Sequence, residues 1–145
     1  LFKKKKMKTL LFLILSCFLV LTNATKHELT IQVSNIQDKY VGKKMYLAIW
    51  KDQTNFLKED KIDVSEIIPI NSKNFNYKKS ITEGTYAYSM YVDLNGNGKL
   101  DKNIFGAPKE PYGFSNNFKP KFSAPDFLDC SFIIKQNTKH TIILN

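Results

Sequence analysis

Apolar and polar side chains alternate with a period of two along most of the chain. Leu29, Ile31 and Val33 are interleaved with Thr30, Gln32 and Ser34, and Met45, Leu47 and Ile49 with Tyr46, Ala48 and Trp50. Tyr86, Tyr88, Met90 and Val92 repeat the pattern directly after Gly84, as do Leu128, Cys130, Phe132 and Ile134. Phe75, Tyr77 and Ile81 outline a weaker segment, and His140–Leu144 is a β-branched run. This period is that of a half-buried strand, and the β-branched and aromatic content of the segments suits one. The Met45–Trp50 segment is apolar on both sides, so both of its faces are expected to be at least partly covered. No apolar stripe is sustained at 3.6 residues, and Thr54–Asp60 has room for one helical turn at most. Six to seven strands of this kind predict an all-β fold, a single antiparallel β-sandwich.

Two connections are long. Lys51–Asn71 reads as a surface excursion between strands. Asp93–Asp126 holds four of the chain's five prolines. A loop of that length inside a compact domain is usually functional or tied down by an ion, because ordering it costs backbone entropy.

The first residues follow a different logic. Lys3–Lys6 and Lys8 precede the apolar run Leu10–Leu21, which ends in Thr22-Asn23-Ala24. A charged start, an apolar run and small residues before a cut make residues 1–24 a secretory signal peptide and 25–145 the mature domain. The run is shorter than the ~20 residues a bilayer span needs. Met7 is an alternative start, and Ile14-Leu15-Ser16 before Cys17 leaves lipidation as an alternative to cleavage after Ala24. The expected location is extracytoplasmic, periplasmic or secreted, with no stable membrane insertion after cleavage.

Charge then changes the picture. The net charge of +9 comes from 22 basic and 13 acidic residues. All the basic residues are Lys, and five precede the cut, so the mature domain carries 17 Lys against the same 13 acids, a balance of +4. Without Arg there is no guanidinium fork for phosphates or base edges, and no nucleic-acid partner is expected. A balance of +4 is also a weak case for an anionic membrane surface. Cys130 alone remains in the mature chain, so no intramolecular disulfide forms and the domain must rest on its core or a bound ion. By strand alternation Cys130 shares its face with Leu128, Phe132 and Ile134, which predicts a buried, unreactive thiol.

The stretch Asp93-Leu94-Asn95-Gly96-Asn97-Gly98-Lys99-Leu100-Asp101 carries the candidate chemistry. Oxygen-bearing side chains stand at positions one, three, five and nine, Gly98 at position six permits a sharp turn, and the Lys99 carbonyl falls at position seven. Calcium takes six to eight oxygens, and this spacing points alternate ones into one concavity. The metal-ligand set is therefore Asp93, Asn95, Asn97, Lys99 and Asp101. Position twelve, where a calcium loop carries a bidentate Glu, is Ile104. A distant carboxylate must close the shell, and Glu110, Asp126 and Asp129 are the candidates, with Glu110 nearest in sequence. Two local carboxylates imply modest affinity, millimolar to high-micromolar. The competing explanation is a plain Asn-Gly turn, which needs no ion.

Tyr86-Ala87, the Asp93–Asp101 stretch, Phe105-Gly106-Ala107-Pro108-Lys109-Glu110, Tyr112–Asn117 and Pro125-Asp126-Phe127 together resemble a bacterial exported family, domain of unknown function 2141. The likeness runs from the Leu29 segment to the end, and Asp93–Asn117 is its specific part. The chain departs from the family pattern at Tyr91, where a His is expected. The resemblance implies a small immunoglobulin-like or transthyretin-like sandwich outside the cytoplasm and brings no established activity.

Aromatic residues fill the second connection. Tyr112, Phe114 and Phe118 are candidate ligand-binding residues, able to line a groove for a glycan or an extended peptide. The alternative is that they fold back to cap an open end of the sandwich. No catalytic constellation emerges. His27 and His140 lie near opposite ends of the mature chain without zinc-ligand spacing, and Ser115 lacks the nucleophile-elbow glycines. The expected protein is an exported, non-enzymatic, calcium-stabilised β-sandwich that binds a small molecule, a glycan or an envelope protein. Its rivals are a small-molecule enzyme of transthyretin-like form and a structural accessory domain with no ligand.

Overall fold

A computed structural model describes residues 24–145. The Lys cluster, the apolar run and Cys17 lie outside the described residues. Eight strands follow one another: β1 (Lys26–Ser34), β2 (Lys44–Trp50), β3 (Val64–Pro69), β4 (Phe75–Thr82), β5 (Gly84–Asp93), β6 (Tyr112–Phe114), β7 (Phe132–Ile134) and β8 (Thr138–Ile143), with a single helical turn α1 (Phe127–Cys130) before β7. They form two sheets, β4-β1-β8 and β3-β2-β5-β6, and β7 pairs with the first residues of β5 beyond the end of β6. All pairs are antiparallel except β1 with β8, which run parallel with Leu29 opposite Thr138 and Ser34 opposite Ile143.

The alternation of the sequence becomes the two faces of these sheets. Leu29, Ile31 and Val33 from one sheet meet Met45, Leu47, Ile49, Tyr86, Tyr88, Met90 and Val92 from the other, and all are buried. Each such side chain contributes about 1.5–3 kcal/mol by leaving water. Glu66 on β3 accepts bonds from Tyr77 Oη at 3.3 Å and Lys79 Nζ at 2.6 Å on β4, which ties the two sheets together along one side. Where the chain crosses from β4 to β5, Tyr86 Oη donates to the Thr82 carbonyl at 2.8 Å.

The outer face of the larger sheet is covered as well. Ala87, Phe127 and Cys130 form a second buried cluster flanked by Phe56, Phe114 and Phe118. Trp50 meets Phe56 edge-to-face at 5.4 Å, and Phe56 meets Phe127 at 5.7 Å. The expectation that β2 is covered on both faces is met this way.

Three expectations need correcting. Lys51–Asn71 is not only an excursion, because it contains β3, whose register against β2 runs from Lys44 opposite Pro69 to Ile49 opposite Val64. Leu128 and Cys130 are not on a strand. Phe127–Cys130 is a helical turn, and the Asp126 N–H donates to Asp129 Oδ2 at 3.0 Å, an N-terminal cap that outweighs the local alternation. Leu128 consequently points into solvent while Cys130 is buried. The long connection contains β6, short because only Tyr112, Gly113 and Phe114 reach β5.

Candidate metal centre

β5 ends at Asp93, opposite Lys44 of β2, and delivers that carboxylate to the start of the acidic turn. Asp93 is 2% exposed. Its Oδ1 accepts the Gly96 N–H at 2.7 Å and its Oδ2 the Gly98 N–H at 2.9 Å, so one side chain folds the turn around itself. Gly98 has φ +76, and a Cβ there would meet Tyr46 Oη at 3.3 Å. Both the left-handed backbone and the close tyrosine favour glycine.

The rest of the turn closes on Asp101. Asn95 Nδ2 donates to Asp101 Oδ2 at 2.6 Å, and Asn97 Nδ2 approaches both Asp101 oxygens at 3.2 Å. The amide oxygens of Asn95 and Asn97 accept the N–H groups of Asn97 and Lys99 at 3.0 and 2.8 Å. Of the three far carboxylates considered, Glu110 is the one that returns to the turn. It is 5% exposed, and its Oε1 accepts the Leu94 N–H at 2.8 Å and its Oε2 the Asp101 N–H at 3.2 Å. The detour between Asp101 and Glu110 is a small hairpin closed by the Lys102–Pro108 bridge and by the Lys109 N–H on the Asp101 carbonyl at 2.8 Å. Asp126 and Asp129 belong instead to the cap of α1.

Tyr46 and Tyr91, opposite each other on β2 and β5, stack at 4.9 Å and form the floor beneath the turn. Tyr91 Oη donates to the Gly98 carbonyl at 3.2 Å. Burial raises the Tyr91 phenol above its ordinary value, with neighbouring Tyr46, Asp93, Glu110 and Glu59 adding to the effect. The phenol therefore stays a donor at neutral pH. These two tyrosines are site residues that the spacing of the acidic turn does not reveal. Strand alternation places each on an outer face, and only the cross-strand register pairs them.

Three carboxylates thus share one turn, and among the described residues none of them pairs with a Lys or His. No three His, Cys, Asp or Glu side chains gather as a ready metal cluster among those residues. The available oxygen set is mixed: carboxylates of Asp93, Asp101 and Glu110, amides of Asn95 and Asn97, and the Lys99 carbonyl. A recess of about 210 Å³ beside Asp93, Asn95 and Gly96 is walled by Gly42, Lys43 and Lys44.

The aromatic candidates lie further along. Tyr112 and Phe114 face each other edge-to-face at 5.9 Å on β6. Phe114 and Phe118 pack against the Ala87, Phe127 and Cys130 cluster.

The match to known families decides the affiliation at this point: residues 31–142 fit the family model of uncharacterised proteins conserved in bacteria, DUF2141. The chain belongs to that family. No curated protein and no solved structure matches it. In this DUF2141 member the matched span takes in both sheets, the acidic turn and Glu110. The two His residues are separate from the site. His27 Nε2 lies 3.0 Å from Glu83, and His140 Nδ1 lies 3.0 Å from Tyr88 Oη.

Proposed function

We propose that this protein is an exported, non-enzymatic β-sandwich module whose Asp93–Glu110 loop takes a calcium ion, and that it serves ligand binding or envelope structure. The observation that carries the reading is the return of Glu110 to the Asp93–Asp101 turn, where it contacts both ends with its two oxygens. A carboxylate there supplies what position twelve lacks. Asp93 and Glu110 are buried beside the half-buried Asp101, and none of the three is in an ion pair among the described residues, which favours a bound cation because buried charge without a paired counter-charge is costly. The hard oxygen set suits calcium, and magnesium fits less well because it demands a tighter octahedron. Affinity of about 10⁻⁴–10⁻³ M suits a module outside the cytoplasm.

One observation favours the accessory-domain alternative. Each carboxylate already accepts two or more N–H groups, and charge-assisted bonds of about 1.5–3 kcal/mol each offset much of the burial cost. Thermal unfolding in calcium against chelator separates the readings. At a hundredfold excess over Kd an ion bound only to the folded state adds about 2.7 kcal/mol, a rise of several degrees for a domain of this size. Asp93→Ala should remove the rise and Asp52→Ala should keep it. Superimposable melting curves for wild type in calcium and in chelator would leave the self-bonded turn as the answer.

A further inference from the structure

The hairpin between Asp101 and Glu110 presents two large apolar side chains to water. Ile104 is 93% exposed and Phe105 87% exposed. The tip carries its own hydrogen bonds. Asn103 Oδ1 accepts the N–H groups of Phe105 and Ala107 at 2.9 and 3.0 Å, and the Asn103 carbonyl accepts the Gly106 N–H at 2.9 Å. Gly106, at φ +82, turns the chain back. The side chain of Asn103 thereby holds the turn open with its apolar residues outward. Lys102 and Lys109 stand at the base and Lys99 in the turn just before it, all exposed, and among the described residues none is in an ion pair.

We infer that Ile104 and Phe105 are a membrane-docking tip that enters the interface of an anionic bilayer while Lys99, Lys102 and Lys109 contact its headgroups. An exposed apolar point flanked in sequence by unpaired, exposed cations fits a deformable, negatively charged surface. It combines the two terms that drive interfacial binding, buried apolar area and attraction to anionic lipid. The domain's modest net charge conceals this, because the three lysines are exposed here while Asp93 and Glu110 of the same loop are buried. The arrangement anchors the protein on a membrane without spanning it.

The test uses the chain from Thr25, which contains every described strand, and vesicles of phosphatidylglycerol and phosphatidylcholine in equal parts. Chelator is present throughout, so the result is independent of the calcium reading. Co-sedimentation is expected at low salt, and little with phosphatidylcholine alone. Ile104→Ser with Phe105→Ser should weaken binding about tenfold or more while leaving the melting temperature in place, because both side chains are in water in the free protein. Lys102→Glu with Lys109→Glu should weaken it comparably, and added salt should do the same to wild type. In a Phe105→Trp variant the new indole emission should shift to the blue on adding vesicles and be quenched by brominated acyl chains. Absence of co-sedimentation overturns the inference. Undiminished binding by the Ser pair, or an unshifted emission from the Phe105→Trp variant, overturns it equally.

Discussion

Glu110 accepts N–H groups from both ends of the acidic turn, so its charge and its shape act together. Glu110→Gln keeps the shape, removes the charge and sets an amide NH₂ against one of those donors. In chelator this should cost about 1–3 kcal/mol in urea unfolding, and the calcium-dependent rise in melting temperature should shrink sharply. An undiminished rise would remove Glu110 from the proposed ligand shell. Cys130 gives a second prediction at this scale. Burial, with a smaller contribution from Asp129, pushes its thiol up to about 12, so thiolate is scarce at neutral pH. A thiol reagent should label it only after denaturation, and rapid labelling of the folded protein would contradict its place beside Ala87 and Phe127. The burial of Cys130 was legible in the sequence, though through the wrong element. Its apolar neighbours at a spacing of two suggested a strand, while the deciding signal was the Asp126-x-x-Asp129 cap after Pro125. The oxygen spacing from Asp93 to Asp101 was readable directly. The return of Glu110 was only one of three candidates, because it depends on how the intervening hairpin closes.

Strand β8 is held from both sides by asparagine side chains standing in for strand neighbours. Asn35, beyond the end of β1, donates to the Leu144 carbonyl and accepts the Leu144 N–H, each at 3.1 Å. Asn117 donates to the Thr141 carbonyl and accepts the Ile143 N–H, each at 2.8 Å. Both residues sit at positive φ, where Asn is among the better-tolerated side chains. Asn117→Ala should lose both bonds and destabilise by about 1–3 kcal/mol, measured by denaturant unfolding. Next to it, a Cβ on Gly113 of β6 would come within 2.8 Å of Ile142 Cγ2. Gly113→Ala should therefore cost about 1–3 kcal/mol through overpacking, and an unchanged midpoint would mean that β6 and β8 separate easily. The β-branched run His140–Leu144 located β8, and alternation located β1, β2, β4 and β5, whose buried positions recur along each strand. It missed β3 and β6. Six residues of β3 sit at a sheet margin with Ile67 exposed, and β6 is too short to express a period at all.

The molecule as a whole carries a titratable group between its sheets' side chains. His140 on β8 lies 3.0 Å from Tyr88 Oη and 4.4 Å, ring to ring, from Phe132. Burial lowers its affinity for a proton below the ordinary 6.5, and with Tyr88 Oη as donor the Nδ1 must be unprotonated. The unfolded chain therefore takes up this proton more readily than the folded one. Stability from His140 is complete above about pH 6.5 and is lost as the pH falls through the folded-state value. Wild type should unfold more easily at about pH 5 than at about pH 7, and His140→Gln should flatten that interval. Glu66, held low by Lys79, loses its contribution only further down, below 4.5. Matching profiles for wild type and variant would assign the acid sensitivity elsewhere. The parallel pairing of β1 with β8 has a consequence in time. Leu29 meets Thr138, a partner made 109 residues later, and the loop-closing entropy of that contact is the largest in the fold. A chain emerging from a ribosome can form the β4–β1 pair early, but β1 keeps an open flank until residues 138–143 appear. The domain is thus at its most adhesive just before β8 is made, and a helper that shields nascent chains has one identifiable thing to cover: the unfilled side of the first strand.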